Sequence, residues 1–236
     1  MSDFLSTAVA QARARTVAAA RRVPLDLVTS RAAAAGQVPA LGAALSAGGC
    51  AVIAEIKRAS PSRGPFGLVR GPAELARAYA DGGAAAVSVL TEPEHFQGSM
   101  EDLAVVADAV RLPVLRKDFI VDPYQVWEAR ASRAAAVLLI VAALDQTRLV
   151  TLLHAAAEAG LGVLVEVHQV DEVHRAGAAW EAVGEAAPGA GLPLILGVNA
   201  RDLSTLQVDP GRFEKLRGEL PDGAIAVAES GVGLPE

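Results

Sequence analysis

Two lysines and three glutamates stand in or just after short apolar runs, where a desolvated acid or base can act. Lys117 closes Val114-Leu115-Arg116-Lys117. A lysine at such a strand end is partly desolvated, which predicts a pKa lowered toward values useful for proton transfer. The plain alternative is a surface lysine capping a strand. Glu166 lies within Val163-Leu164-Val165-Glu166-Val167. A carboxylate in such a run must be paired or must face a polar cavity, so it is a site residue or half of a buried ion pair. Glu55 and Lys57 are two apart and share one strand face. There they are expected to pair, tune each other and hold a substrate anion. Glu229-Ser230-Gly231 follows another apolar run and could open a helix. Glycine allows close backbone approach, and free N–H groups there suit phosphate. The loop from Arg58 to Pro65, with Ser60, Ser62 and Arg63, offers hydroxyls and guanidinium groups to an anion, or is an ordinary surface loop.

These groups need a scaffold that gathers strand ends. Apolar runs recur at 51–56, 85–90, 113–116, 136–141, 162–167, 194–198 and 224–228. They are rich in Val, Ile and Leu and do not alternate with polar residues. That marks strands buried on both faces, hence parallel. Helix-compatible stretches lie between them at 72–82, 99–110, 123–133, 145–160 and 170–177, several ending at glycine. Residues 181–193 read as a loop insertion. Seven strands suit a doubly wound sheet or a barrel lacking its last unit. Polar residues close six runs: Glu55 and Lys57, Glu92, Lys117 and Asp118, Glu166, Asn199 and Arg201, Glu229 and Ser230. An open sheet gathers ligands at one switch point. A barrel brings every carboxyl end to one ring. The pattern predicts an α/β fold, a (β/α)8 TIM barrel over 49–236 showing strands 1–7, with an N-terminal helical extension over 1–48.

Composition narrows the function. The chain has 236 residues, 52% hydrophobic, enough for one sizeable core. Net charge is −6 with no basic stripe among aromatics, which disfavours nucleic acid. No apolar run is long enough to span a membrane, and the arginine-interrupted start is no signal peptide. A cytoplasmic protein is expected. The single cysteine, Cys50, is expected to be a small buried residue leading into a strand. His95, His154, His168 and His174 lack metal-ligand spacing and read as structural or surface residues. Trp127 and Trp180 read as helix packing residues. No metal or cofactor is expected.

The motifs IAEIKRASPS (53–62), VSVLTEPEHFQGS (87–99), VLRKDFIV (114–121), AVLLI (136–140), LVEV (164–167), GVNARDL (197–203) and VAESG (227–231) fall in one order across most of the chain. Together they strongly resemble the indole-3-glycerol-phosphate synthase family of tryptophan biosynthesis. The resemblance implies a cofactor-free carboxy-lyase. It would close the ring of 1-(2-carboxyphenylamino)-1-deoxyribulose 5-phosphate, giving indole-3-glycerol phosphate, CO2 and water. It implies Lys117 as general acid, Glu166 in the proton transfers of dehydration, and Lys57 on a substrate anion and available as a second acid. Glu55, Asn199 and Glu229 would shape and polarise the site, with Arg201 and Ser60 in support. Ser230 and Gly231 would lie at the phosphate, and Phe96, Phe119 and Leu203 would wall the aromatic ring. The partner is then a phosphorylated small molecule, and the protein a monomer or weak homo-oligomer. The family ordinarily continues with an eighth strand and a glycine-containing phosphate loop, whereas this sequence stops at Pro235-Glu236, so the eighth βα unit is expected to be absent. Ala200 stands where asparagine or serine is usual. Two other functions stay open. One is a homologous synthase for a modified anthranilate, which substrate competition would reveal. The other is a non-catalytic truncated barrel with a scaffold role, which absence of turnover would reveal.

Overall fold

A computed structural model describes residues 3–62, 64–67, 70–184, 193–203 and 205–231. The seven apolar runs all become strands, within two residues of their expected bounds. Strand β1 (Ile53–Ile56) is followed by a short antiparallel hairpin, β2 (Ala59–Ser60) and β3 (Gly64–Pro65). Then come β4 (Ala86–Leu90), β5 (Val114–Lys117), β6 (Ala136–Ile140), β7 (Gly162–Val167), β8 (Ile195–Asn199) and β9 (Ile225–Glu229). All but the hairpin form one parallel sheet in the order β1-β4-β5-β6-β7-β8-β9. The order never reverses, so the switch point of a doubly wound sheet does not arise. The sheet curls instead. Lys117 on β5 reaches Glu55 on β1 and Glu229 on β9, the two ends of the strand order.

Helices return the chain between strands: α4 (Pro72–Asp81), α6 (Met100–Ala109), α7 (Pro123–Ala131), α8 (Gln146–Glu158), α9 (Val170–Val183) and the shorter α10 (Arg212–Arg217). Their starts are written locally. Pro72 and Pro123 occupy first turns, where proline loses no needed N–H. Ser99 and Asp145 cap α6 and α8, and Asp122 with Gln125 forms a capping box on α7. Helix α9 runs past Gly177 to Val183, longer than expected. One interior glycine costs only about 1 kcal/mol, and the apolar face continues through Ala179 and Val183 into the core. Trp127 on α7 and Trp180 on α9 pack partly buried against that core, as expected.

Three helices precede the sheet: α1 (Asp3–Arg22), α2 (Leu25–Ala34) and α3 (Leu41–Leu45). They share its core rather than forming their own, since Leu5, Ala8, Val9, Ala12 and Leu41 are buried in it. Tyr124 and Arg130 of α7 donate to the carbonyls of Val23 and Gly36, tying the connection around α2 to the body. Between β4 and α6 lies a single turn, α5 (Pro93–Phe96). Strands β4 and β6 are buried throughout, whereas β9 is only partly covered. Cys50 is exposed ahead of β1, against the expectation of burial; the turn glycines Gly48 and Gly49 keep it outside the sheet. Of the expected insertion, 181–183 are helical and 185–192 lie outside the described residues. Arg63 and 232–236 lie outside them too, and with the last of these the expectations of a helix after Gly231 and of a missing eighth unit. Among the described residues no helix is long and apolar enough to cross a membrane.

Candidate active site

The carboxyl ends of the seven sheet strands open into one cavity of about 480 Å³. Parallel strands send alternate residues inward, so Glu55, Ser88, Lys117, Glu166, Asn199 and Glu229 face one another across it. Below them Leu115, Leu138 and Leu164 close the floor. Every site residue named from sequence borders this cavity: Glu55, Lys57, Lys117, Glu166, Asn199 and Glu229, with Ser60, Phe96, Phe119, Arg201, Leu203, Ser230 and Gly231.

The charges form one cluster. Lys117 Nζ lies 2.9 Å from Glu229 Oε2 and 3.1 Å from Glu55 Oε2. Lys57 Nζ lies 2.5 Å from Glu55 Oε1, as their shared strand face predicted. Burial alone would lower the Lys117 pKa, but Glu229, Glu55 and Glu166 outweigh it and hold the amine well above its ordinary value. This reverses the sequence expectation of a depressed lysine. Desolvation was legible in the sequence, whereas carboxylates arriving from distant strands were not. Glu55 feels burial first, yet the two lysines bring it down to about 2. Glu229 pairs with Lys117, is almost fully buried and faces Glu166. Burial dominates there and pushes it up to about 7. Glu229 is therefore the cluster's carboxyl poised to exchange a proton near neutrality. Its carboxylate also lies where strand β8 has no side chain: a β-carbon on Gly197 would stand 2.0 Å from Glu229 Oε1.

The rim is built from loops. Asn199 accepts the Arg201 N–H, and Arg201 Nη1 donates to the Leu206 carbonyl, bracing the loop after β8. Ser230 and Gly231 both take left-handed backbone, with φ of 60° and 67°. That turn folds against Val208, whose Cγ1 would lie 2.7 Å from a β-carbon on Gly231. Arg58 does not face the cavity as an anion donor, because Asp102 on α6 takes it in a bidentate pair. On the opposite rim Glu92 accepts the N–H groups of Glu94, His95 and Phe96, which aims Phe96 inward. Among the described residues no group of three His, Cys, Asp or Glu side chains is placed to hold a metal ion.

A family model described as indole-3-glycerol phosphate synthase matches residues 5–236. The chain belongs to that family. The indole-3-glycerol phosphate synthase of Mycobacteroides abscessus is 50% identical over 220 residues, covering 92% of this chain and 76% of its own. That of Mycolicibacterium vanbaalenii is 49% identical over 231 residues, covering 98% and 80%. Among solved structures, a Xanthomonas albilineans dihydropteroate synthase aligns with a TM-score of 0.47 at 17% identity over 66% of this chain and 62% of its own. That likeness is too slight to bear on function.

Some parts of this synthase-family site lay outside the sequence expectations. Phe4 on α1 lines the cavity and meets Phe119 edge-on, ring centroids 6.1 Å apart. Arg15, three turns further along α1, pairs with Glu94 at 2.6 Å and Asp118 at 3.1 Å, clamping the helix over the rim. Asp118 in turn sits in a buried network with Arg116 and Thr91 on the outer face of β5. Phe66, beyond the hairpin, lies under Lys57 at 5.8 Å from ring centroid to Nζ. His168 is mostly covered, as a structural histidine would be, but it touches Glu166. His95 packs on Phe4 and meets Gln11, while His154 and His174 are exposed.

Proposed function

We propose that this protein is a carboxy-lyase on a (β/α)8 barrel, converting 1-(2-carboxyphenylamino)-1-deoxyribulose 5-phosphate to indole-3-glycerol phosphate, CO2 and water. Family membership supports the reaction. The single structural observation that carries it is Lys117, a cation facing into the cavity with its amine between Glu55 and Glu229.

The chemistry asks for such a group. The ring carbon bearing the carboxylate attacks the ketone carbon of the sugar chain, and the carbonyl oxygen gains negative charge. A fixed ammonium in a water-poor site stabilises that charge far better than water does. Lys117, kept protonated by its carboxylates, supplies the charge and then the proton. CO2 departs, leaving its electron pair to the ring. The new hydroxyl leaves as water with a proton from an acid, and a base removes the C–H proton whose loss completes the indole ring. We assign those transfers to Glu166, with Glu229 as the carboxyl able to exchange protons near neutrality. Lys57 takes the anthranilate carboxylate, exchanging it for Glu55. Asn199 holds Glu166 and Arg201 in place. Phe96, Phe119 and Leu203 wall the aromatic ring, and the Ser230-Gly231 turn takes the phosphate, with Ser60 and Arg201 beside it. Two anionic ends and one flat ring fix the substrate at three points.

Rapid-quench single turnover tests this. Lys117→Ala is expected to bind substrate and form no ring-closed species. Glu166→Gln is expected to form the ring-closed, decarboxylated species and convert it slowly to indole-3-glycerol phosphate. Near-normal turnover by Lys117→Ala would remove the acid from this scheme. An unchanged rate of indole formation in Glu166→Gln would remove the base.

A further inference from the structure

An imidazole stands behind Glu166 that the proposed reaction leaves unused. His168 follows β7 two residues after Glu166, so the two side chains leave the chain on the same side. His168 Nε2 lies 3.2 Å from Glu166 Oε1, a charge contact off hydrogen-bond angle. Its Nδ1 lies 3.2 Å from Oε2 of Glu172, in the first turn of α9. That same oxygen accepts the His168 backbone N–H at 2.7 Å, and Gln169 donates to the other. The side chains of Glu166, His168 and Glu172 are 2%, 10% and 4% exposed.

Two carboxylates this deeply buried need a cation between them, since an uncompensated buried charge costs several kcal/mol. The start of α9 works against a cation there, because a helix N-terminus repels positive charge. The imidazole takes the position nonetheless, between the two carboxylates. Other charges face the trio from one side. Lys117 of β5 and Glu229 of β9 look onto Glu166 from the cavity, with the Asn199 amide of β8 beside it. Arg175 of α9 is committed to the carbonyls of Val141 and Leu144, and Gln146 of α8 to the Arg175 carbonyl.

We propose that His168 is a positioning residue for Glu166: an imidazolium anchored by Glu172 that fixes the Glu166 carboxylate and balances its charge through the later proton transfers. This rests on the role given to Glu166 above. The pKa shifts of the two groups agree with the geometry. Burial alone would depress His168, yet Glu166 and Glu172 hold it at about 9. Burial alone would raise Glu166, yet His168, then Lys117 and Asn199, hold it below its ordinary value.

The test compares His168→Gln, Glu172→Gln and Glu166→Gln with the wild type, each confirmed folded by circular dichroism. Glutamine at 168 keeps a donor but no charge. The expected result is a kcat about tenfold to a hundredfold lower with KM changed less than about threefold. The acid limb of kcat should move up by about one unit or more, as when a carboxylate loses a neighbouring cation. Glu172→Gln should move it the same way by less. If His168→Gln does not fold, imidazole ¹³C NMR on the wild type and Glu172→Gln decides. His168 should titrate near 9 in the first and lower in the second; titration near 6.5 in the wild type overturns the proposal. A folded His168→Gln with kcat within twofold and an unmoved acid limb also overturns it, even where Glu166→Gln is slow. Wild-type rates in Glu166→Gln would instead overturn the reading of Glu166, and the proposal with it.

Discussion

Gly197→Ala is the smallest change that tests how the site is held. Gly197 has no left-handed backbone to protect, and alanine suits a strand better than glycine. On backbone grounds alone the variant should gain about 0.4–1 kcal/mol. The structure predicts the opposite sign. The new methyl would stand 2.0 Å from Glu229 Oε1, 3.1 Å from its Cδ and 3.3 Å from Leu164 Cδ1. To reach ordinary contact at 3.4 Å the carboxylate must withdraw by about 1.4 Å. It is nearly buried and bonded to Lys117 at 2.9 Å, so that retreat breaks the pair or drags the lysine. Overpacking of this kind costs about 1–3 kcal/mol. In a chain of this length that lowers Tm by roughly 2–4 °C per kcal/mol. Misplacing a reacting group by about an ångström costs about a hundredfold in rate. Calorimetry and a fluorescence assay of indole formation measure the two losses. Gly197→Ala/Glu229→Ala should then be more stable than the sum of the single changes, because the clash is gone. A Gly197→Ala protein that melts at or above the wild type and turns over normally would refute the steric account and the placement of Glu229.

Glu92→Gln weakens the carboxylate that accepts three N–H groups of α5, and should cost about 1 kcal/mol in urea unfolding. Because Phe96 is aimed by that turn, KM should rise more than kcat falls. Phe4→Ala removes one wall of the aromatic box, at about 1 kcal/mol for the ring pair; its signature is a raised KM with kcat nearly unchanged. For stability, the folded pKa of His168 is raised from 6.5 to about 9. The contribution is fully present below 6.5 and is lost as pH rises through 9, with an upper bound of about 3 kcal/mol. The difference in unfolding free energy between wild type and His168→Gln should therefore shrink from pH 6.5 to pH 10. A difference that grows would reverse the assignment of the imidazolium. The alkaline limb of kcat should likewise fall near 9 in the wild type and flatten in His168→Gln.

The sheet was legible because its strands are buried on both faces: runs such as Ala136–Ile140 have no polar alternation to confuse with a surface strand. The site ring was legible because a curled parallel sheet collects strand ends, so Glu55, Lys117, Glu166 and Glu229 needed only their run positions to be brought together. Their titrations were not legible. Lys117 and Glu229 are far apart in sequence, and the sign of the lysine shift depends on that meeting. Hairpin β2–β3 has two residues per strand, too few to show a period. Phe4 sits on an alanine-rich helix whose only hint of direction is one aromatic residue at its start. His168 does carry a sequence signal: it is two residues from Glu166 and four from Glu172, spacings that allow one imidazole to sit between two carboxylates.

The raised pKa of Lys117 looks at first like a poor choice for an acid, since general acids work best when matched to the working pH. The ring-closure step asks for something else. Its oxygen becomes an alkoxide, a base strong enough to take a proton from any ammonium, so driving force is not scarce. What is scarce is a cation guaranteed to be present, immobile and dry when the charge develops. Glu55, Glu166 and Glu229 provide that guarantee, and the same three carboxylates would repel a dianionic substrate if left unbalanced. Lys57 and Lys117 offset two of these charges from the cavity, and the proposed imidazolium of His168 lies between Glu166 and Glu172 behind it. On this reading Glu166 and Glu229, which help to hold the acid ready, become the groups that finish the reaction once the oxygen has been protonated.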